Sequence, residues 1–367
     1  MHIGLMKEIK KDEYRVGLTP ETAMDYLRNG HQVLVEAGAG VGSGFSDAQY
    51  VTAGCRVETD KRRIFAESDM IIKVKEPLPE EYGLFRSGQI LYTYLHLAAD
   101  RKLTEAMLQA GIIGIAYETV QEADGSLPLL IPMSQIAGRL AVQEGAKYLE
   151  KSFGGRGILL GGVPGIRKGK VVILGGGIAG TNACQIAIGI GADVTVLDIS
   201  AKRLAELDCL FGTRVQTLYS IPSNIEQEIR DADLVIGAVL IPGATAPKLV
   251  TRRHLKMMKP GAVVVDISVD QGGTFETTRP TTHADPIFIE EGIVHYCVAN
   301  MPGAVSLSST LALTSVTNRY GLTIADSGVE KAITISHPIR AGLNCHTGRL
   351  TNRAVAEAHK IQYVEVL

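Results

Sequence analysis

The feature that most constrains this chain is a strand–turn–helix–strand pattern with spaced glycines, KVVILGGGIAGTNACQIAIGIGADVTVLDIS, over residues 170–200. Lys170–Leu174 is typical of a strand, and Gly175, Gly177 and Gly180 match the spacing G-x-G-x-x-G in front of a helix. The first glycine permits a tight turn, the second lets the backbone approach a pyrophosphate, and the third lets the helix pack on the strand. The helix N-terminus adds unpaired N–H groups and a partial positive charge. This pattern predicts a dinucleotide site.

An acidic residue completes the pattern at the end of the second strand. Asp198 follows Gly177 by 198 − 177 = 21 positions, which is the spacing of a carboxylate that accepts hydrogen bonds from a ribose. A carboxylate at this point repels a 2′-phosphate, so the motif favours NAD over NADP. Glycine clusters alone often form only turns. The strand, the helix and the acid together make dinucleotide binding the better interpretation.

Composition narrows the class of protein. The chain has 367 residues, which exceeds one ordinary core and predicts about two domains. Its 37 basic and 39 acidic residues give a net charge of −2, with no basic block, so we expect neither a nucleic-acid partner nor a charged membrane surface. No apolar run is long enough to predict a membrane span, and the first residues do not have the pattern of a signal peptide.

Cysteine usage favours a reducing compartment. The five cysteines are odd in number, widely spaced and contain no CxxC pair, so neither a disulfide framework nor a zinc site is indicated. We therefore expect a cytoplasmic protein without a bound metal.

Two series of β-branched runs alternate with helical segments, which predicts an α/β fold with two Rossmann-like, doubly wound parallel sheets. The strands predicted for the first sheet are His2–Met6, Gln32–Glu36, Met70–Val74, Ile90–Leu95 and Ile112–Tyr117. The strands predicted for the second sheet are Lys170–Leu174, Asp193–Asp198, Val215–Leu218, Leu234–Gly237, Ala262–Ser268 and Val294–Val298.

Long helices are predicted to link the two domains. One runs from about Gln135 to Leu149 with Ser134 as its N-cap, and another begins near Ser308 and returns the chain to the first domain. A shorter helix follows Thr19 as N-cap and Pro20 as first residue. We expect a substrate domain of residues 1–129 plus 307–367 and an NAD-binding domain of residues 130–306.

Polar residues follow several predicted strands, where ligands bind in open α/β sheets. Arg15, Lys75 and His96 each come after a different strand of the first sheet, and Asp270 follows a strand of the second. If the two sheet edges face each other across a cleft, the four residues meet near a nicotinamide. Arg offers a planar fork to a carboxylate, Lys a point charge, and His and Asp exchange protons. This chemistry suits hydride transfer on a small oxo or amino acid.

Each of these residues also has a structural interpretation. His96 lies in the apolar run ILYTYLHLAA and could be a core histidine, and Arg15 could be a solvated loop residue. Lys75 could pair with Glu76 at the surface, and Asp270 could only form a turn. Convergence of all of them at strand ends favours the functional interpretation.

The sequence resembles the alanine dehydrogenase family over essentially its whole length. The matching stretches are IGLMKEIKKDEYRVGLTP, IIKVKEPLPEEYGLFR, LYTYLHLA, GIAYETV, LPLLIPMSQIAGR, VVILGGGIAGTNA, LVIGAVLIPGATAPKLV, VVVDISVDQGG and HYCVANMPGAV. The resemblance implies reversible oxidation of L-alanine by NAD to pyruvate and ammonium, and a homohexamer. It implies substrate binding by Arg15 and Lys75 and catalysis by His96 and Asp270. Beside the three motif glycines it implies an NAD site lined by Ser134, Ile178, Ala179, Asp198, Arg203, Ser220, Val239, Leu240, Ile267, Ser268, Val269, Asp270, Arg279, Val298, Ala299, Asn300 and Met301.

Two alternatives stay open beside this interpretation. The NAD-binding subunit of proton-pumping transhydrogenase is similar in both domains but lacks the substrate lysine and histidine, so a non-catalytic NAD-binding subunit is one. A dehydrogenase of another amino acid, including larger ones handled by lysine-pathway relatives, is the other. Two departures from the family pattern are Ser306–Thr310, which lacks a basic residue, and Ser327, which replaces a histidine that accompanies Glu118 at a metal site in some members. We therefore predict no metal.

Overall fold

The computed structural model describes residues 1–240 and 245–365, so part of the stretch LVIGAVLIPGATAPKLV, residues 241–244, lies outside the described residues. The described strands are β1 (His2–Leu5), β2 (Gln32–Glu36), β3 (Arg56–Glu58), β4 (Met70–Ile72), β5 (Ile90–Thr93), β6 (Ile113–Ala116), β7 (Lys170–Leu174), β8 (Asp193–Asp198), β9 (Gln216–Tyr219), β10 (Leu234–Gly237), β11 (Val263–Asp266), β12 (Ile287–Glu290), β13 (Ile293–Tyr296), β14 (Leu343–His346) and β15 (Arg349–Leu350). The described α-helices are α1 (Pro20–Arg28), α2 (Asp47–Ala53), α3 (Lys61–Glu67), α4 (Pro79–Tyr82), α5 (Arg101–Ala110), α6 (Ile131–Tyr148), α7 (Ile178–Ile190), α8 (Ala201–Phe211), α9 (Pro222–Arg230), α10 (Arg252–Leu255), α11 (Ser306–Ser327), α12 (Val329–Ile335), α13 (His337–Gly342) and α14 (Arg353–His359).

The chain divides into two compact units. The first unit contains residues 1–133 and 305–367, and the second contains residues 134–304. Helices α6 and α11 begin close to the two points of division. Within the described residues, no helix is both long and apolar enough to cross a membrane.

The first unit is built on an eight-stranded sheet in the order β15-β14-β6-β5-β4-β1-β2-β3. Strands β1 to β6 are mutually parallel and occupy the order 3-2-1-4-5-6 of a doubly wound Rossmann sheet when counted from β3. The five strands expected here are confirmed at their centres. Prediction missed β3, β14 and β15, since they are short, lie toward the sheet edges and lack an apolar run.

The second unit repeats this topology. Its seven-stranded sheet has the order β12-β13-β11-β10-β7-β8-β9, in which only β12 is antiparallel to its neighbour. The remaining six strands again follow 3-2-1-4-5-6, so the predicted α/β class with two Rossmann-like sheets is confirmed. Strands such as VVIL and LVIG are fully buried, as expected for parallel strands covered on both faces.

Helix boundaries follow local capping chemistry, with one correction. Thr19 caps α1 and Pro20 opens it, as predicted. The prediction that Ser134 caps the next long helix is wrong, because α6 already begins at Ile131 and Ser134 lies in its first turn. Pro132 there is compatible with a helix start, since the N–H that proline lacks has no partner in the first turn anyway.

Candidate active site

Four neighbouring strands of the first sheet end in polar side chains at one edge. In the order of the sheet, β6, β5, β4 and β1 lie side by side and run parallel. They lead into Glu118, His96, Lys75 and Arg15 respectively. The point between β1 and β4, where the strand order reverses, is where open α/β sheets bind ligands. The structure therefore brings the three predicted residues of this unit to one edge.

Arg15 is buried and paired, so the alternative of a solvated loop residue is wrong. Its side chain is 1% exposed, and that of Glu13 is fully buried. The guanidinium donates from Nε to Glu13 Oε1 over 2.7 Å and from Nη2 to Oε2 over 2.5 Å. Burial opposes the charge, but the Glu13 carboxylate outweighs it and raises the pKa of Arg15. One edge of the predicted fork is thus held by Glu13, and Nη1 faces the Met133 sulfur at 3.1 Å.

Lys75 is half-buried beside an aromatic ring. Its Nζ lies 5.9 Å from the centre of the Tyr94 ring. Burial and, after it, the positive charge of Arg15 lower the pKa of the ammonium. The alternative of a surface pair with Glu76 is wrong, because the Glu76 carboxylate forms its hydrogen bonds with Lys10 and His96.

His96 is not a core histidine. Its side chain is 40% exposed, and Nδ1 lies 2.9 Å from Glu76 Oε2. The backbone adopts a left-handed conformation with φ of 50°, which non-glycine residues rarely take. Glu118 stabilises this turn by accepting from the backbone N–H of His96 over 2.6 Å and of Leu95 over 3.1 Å. The ring then stacks on Tyr94 with centroids 5.9 Å apart.

A second lysine of the same motif has a different role, which the sequence did not reveal. Lys73 is completely buried, with Nζ 2.9 Å from Glu81 and 3.5 Å from Glu8. Glu8 also accepts from the backbone N–H groups of Val74 and Lys75. This buried ion network holds the loop that carries Lys75. Strand alternation would place the two lysines on the same face, but β4 ends at Ile72, before both of them.

The glycine loop of the second unit has the geometry that a dinucleotide requires. Gly175 takes a φ of 100°, which disfavours other residues. A Cβ on Gly180 would lie 1.8 Å from the Gly175 carbonyl oxygen, so only glycine lets the helix pack this close. At Gly177, the N-cap of α7, a Cβ would meet nothing within 4 Å. The loop is therefore open to a ligand where the motif predicts the pyrophosphate.

Asp198 and Arg203 are tied to the same loop. The Asp198 carboxylate accepts from the Gly176 N–H over 2.7 Å and from the Ser200 N–H over 2.8 Å. A carboxylate oxygen accepts two hydrogen bonds, so capacity for ribose hydroxyls is left. Arg203 donates to the Gly176 carbonyl over 2.6 Å and to the Thr181 hydroxyl over 2.5 Å. These residues fit a bound dinucleotide.

The other residues implied for the NAD site follow strand ends of the second sheet in most cases. Ser220 follows β9, Val239 and Leu240 follow β10, Ile267 to Asp270 follow β11, and Val298 to Met301 follow β13. Four depart from this pattern: Ile178 and Ala179 open α7, Ser134 lies in α6, and Arg279 stacks on Phe288 with Cζ 4.2 Å from the ring centre. Val298 and Met301 are almost completely buried, backbone included.

The two aspartates of the motif VVVDISVD differ in burial: Asp266 is buried and Asp270 is exposed. Asp266 is fully buried at the end of β11 and accepts from Ser268, Thr274 and Thr278. Burial nevertheless raises its pKa. Asp270 is exposed in the following 3₁₀ turn, where Oδ2 lies 3.4 Å from the Asn300 N–H. Asp270 does lie in a turn, but its carboxylate is available for chemistry.

The comparisons with known proteins identify the family of the chain. Residues 4–137 match the alanine dehydrogenase/PNT N-terminal domain, and residues 141–353 match the C-terminal domain of the same family. The chain belongs to the alanine dehydrogenase family. The predicted resemblance is thereby confirmed, and membership implies an enzyme with a pyridine nucleotide cofactor and small-molecule substrates.

Individual relatives span the whole chain. Alanine dehydrogenase 2 of Staphylococcus aureus is 54% identical over 367 residues, which is all of this chain and 98% of that protein. A solved L-alanine dehydrogenase has a TM-score of 0.96 at 49% identity, covering 98% of this chain and 99% of its own. A transhydrogenase from Sinorhizobium meliloti has a TM-score of 0.83 at 26% identity, covering 96% and 100%. This member of the alanine dehydrogenase family is thus more similar to these dehydrogenases than to that transhydrogenase.

Proposed function

We propose that this protein catalyses the NAD-dependent oxidative deamination of L-alanine to pyruvate and ammonium, and the reverse reductive amination. The observation that carries the proposal is the convergence of Arg15, Lys75 and His96 at one edge of the first sheet. The balanced reaction is L-alanine, NAD⁺ and water giving pyruvate, ammonium, NADH and a proton. Membership in the alanine dehydrogenase family supports this choice of substrate.

Two cations of the first unit bind the substrate in this proposal. Arg15 and Lys75 attract the carboxylate that alanine and pyruvate share. Arg15 is preorganised, because Glu13 fixes its guanidinium and burial prevents it from relaxing into solvent. Lys75 has a lowered pKa, so it can also release its proton more readily than an exposed lysine.

The second unit holds the cofactor. The open space at Gly177 and the N–H groups at the start of α7 suit a pyrophosphate, and Asp198 suits ribose hydroxyls. Repulsion between Asp198 and a 2′-phosphate is the reason to propose NAD instead of NADP. When bound, the nicotinamide supplies the two-electron acceptor for the α-carbon–hydrogen bond.

His96 and Asp270 move the protons. Oxidation of neutral alanine leaves an iminium, to which water adds while a base takes a proton from the water. The resulting amino alcohol collapses to pyruvate when a proton is returned to the departing ammonia. His96 is half-exposed and hydrogen-bonded through one ring nitrogen, which suits a group that exchanges protons with substrate. Asp270 is the second proton-exchanging group.

The test is a panel of substrates and cofactors. The protein is mixed with NAD and L-alanine, L-serine, 2-aminobutyrate or a larger amino acid, and NADH absorbance is followed. We expect L-alanine with NAD to be fastest. NAD binding without turnover on any amino acid would instead support the non-catalytic subunit, and preference for a larger substrate would support the other dehydrogenase.

The reaction should also accelerate at alkaline pH. Alkyl amines titrate near about 10, and only the neutral amine can lose the α-hydrogen to leave an iminium. An oxidation rate that is flat from neutral to alkaline pH would contradict the scheme. The homohexamer implied by the resemblance and the cytoplasmic location expected from cysteine usage stay predictions, and sedimentation analysis would check the first.

A further inference from the structure

The contact between Glu76 and His96 carries an inference about how the imidazole is oriented. Glu76 directly follows Lys75 in the motif KVKEP, after β4, whereas His96 follows the neighbouring strand β5. Glu76 Oε2 lies 2.9 Å from His96 Nδ1, and Oε1 is bonded to Lys10. The Glu76 side chain is 14% exposed, so water competes little for its oxygens. The two contacts use different oxygens of one carboxylate.

An ionised carboxylate only accepts hydrogen bonds, so the proton between Glu76 and His96 belongs to Nδ1 of the ring. Burial by itself favours protonation of Glu76, but the hydrogen bond from His96, with Lys10 and Lys75 nearby, lowers the pKa of this carboxyl well below its usual range. The carboxylate is therefore ionised under ordinary conditions. In neutral His96 the unprotonated nitrogen is then Nε2.

The ring is also oriented by its other neighbours. Tyr94 stacks on one face of the imidazole at an interplanar angle of 19°. Glu118 holds the backbone of His96 in its left-handed turn by accepting from the backbone N–H groups of Leu95 and His96. Glu76 is thus the group in contact with a ring nitrogen, and it decides which nitrogen remains for substrate.

We propose that Glu76 is a positioning residue for His96, which holds Nδ1 so that Nε2 is the nitrogen that exchanges protons with the substrate, while Lys10 fixes the second carboxylate oxygen. The inference rests on the proposed function for its kinetic consequence. The geometry of the pair stands independently of the substrate.

Charges around the pair set the direction of each expected effect. The groups that face it are Lys10, Lys75, Glu118 and the phenols of Tyr82 and Tyr94. The negative charge of Glu76 stabilises the imidazolium, and the positive charge of Lys10 partly offsets it. Removing Glu76 should therefore destabilise the imidazolium of His96, and removing Lys10 should stabilise it.

The first measurement does not depend on activity. Diethyl pyrocarbonate acylates unprotonated imidazole, so the rate of His96 modification against pH, followed by peptide mass spectrometry on the full chain, gives a midpoint for this residue. We expect the midpoint of Glu76→Gln to lie below that of the wild type, as for loss of a hydrogen-bonded opposite charge. Lys10→Gln should raise it by a smaller amount. Glu76→Asp, which keeps the charge, should restore most of the wild-type midpoint.

Matched controls come from the same two segments. Glu80 and Lys11 are exposed residues close in sequence to Glu76 and Lys10, and Glu80→Gln and Lys11→Gln should leave the midpoint unchanged. A purely structural role for Glu76 would not shift the midpoint in opposite directions in the Glu76→Gln and Lys10→Gln proteins. An unchanged midpoint in both proteins would overturn the inference.

The second measurement is kinetic. Glu76→Gln should lower kcat about tenfold or more, with KM for L-alanine within about twofold, because the change affects proton exchange and leaves both substrate cations in place. Circular dichroism and the Glu76→Asp protein show whether folding is intact. If the wild type is active and the midpoint of Glu76→Gln equals that of the wild type, the pairing is refuted and the proposed function stands. If the wild type forms no NADH but the variants show the expected midpoint shifts, the pairing stands and the proposed function is refuted.

Discussion

The six parallel strands of the two sheets have the same order, but one candidate site is formed by backbone groups and the other by charged side chains. In the second unit the glycine loop offers backbone N–H groups and empty space, with Gly177 open and Gly180 packed against Gly175. In the first unit, the charged side chains Arg15, Lys75 and His96 follow β1, β4 and β5. A backbone site binds an anion without changing protonation, whereas a side-chain site can exchange protons. One topology thus supports cofactor binding in one unit and acid–base chemistry in the other.

The difference extends to what is buried beneath each site. The first unit buries whole ion networks, with Lys73 between Glu8 and Glu81 and Arg15 against Glu13. Four residues before Asp270, the second unit buries the carboxylate Asp266, held by backbone N–H groups and threonine hydroxyls. Substitutions in the two units should therefore affect different properties. Within one motif, a buried charge should affect stability and an accessible one should affect substrate binding or turnover.

The largest expected effect is on stability in the first unit. Lys73→Met leaves Glu8 and Glu81 buried without their cation and should reduce the free energy of unfolding by about 3–5 kcal/mol. Lys75→Met, two residues away, should change stability far less while impairing substrate binding. Denaturant unfolding and kinetics of the two proteins check this contrast. Equal losses of stability would contradict the assignment of Lys73 to stability and Lys75 to substrate binding.

The next effect is on turnover. His96→Ala should lower kcat by about 10²-fold or more, as for loss of an acid–base group, and should leave NAD affinity intact because the glycine loop belongs to the second unit. Fluorescence titration of NAD and steady-state kinetics measure the two quantities. A fully active protein would return His96 to a structural role.

A smaller effect is expected in the second unit, on NAD affinity and not on turnover. Asp198→Ala removes the acceptor for the ribose and for the Gly176 N–H, so the Kd for NAD should rise about tenfold, equivalent to about 1.4 kcal/mol. At saturating NAD, kcat should stay close to that of the wild type, and discrimination against NADP should weaken. If NAD affinity does not change, the assignment of the ribose to Asp198 fails.

The smallest effect concerns pH and Lys75. Burial and Arg15 lower the pKa of this ammonium below the ordinary lysine value of about 10.4, so its charge is lost as pH rises through the lowered value. Binding of pyruvate should weaken a few-fold over that range, which KM for pyruvate against pH measures. Lys75→Arg should show a flatter profile, since a guanidinium stays charged. Identical profiles would mean that Lys75 contributes no charge to binding.

Prediction from sequence worked best where function depends on spacing along the chain. The strand, the glycines and Asp198 lie within residues 170–200, and the structure has β7, α7 and β8 where the motif requires them. It failed where two adjacent helix starts have similar sequence signals. Ser134 was predicted as the N-cap, but it lies inside α6 because the helix already starts at Ile131. Capping residues can also occur in a first turn, so the local signal did not separate the two positions.

The sequence alone was enough for the α/β class, the two parallel sheets and the family, because periodicity, turn chemistry and motif spacing are local and repeat along the chain. Only the folded chain showed that Lys73 and Asp266 are completely buried, and only it paired Glu13 with Arg15 and Glu76 with His96. Which charge is buried, and beside which partner, depends on the packing of strands distant in sequence. The electrostatic energy of a charge is set by those surroundings, and no local pattern contains them.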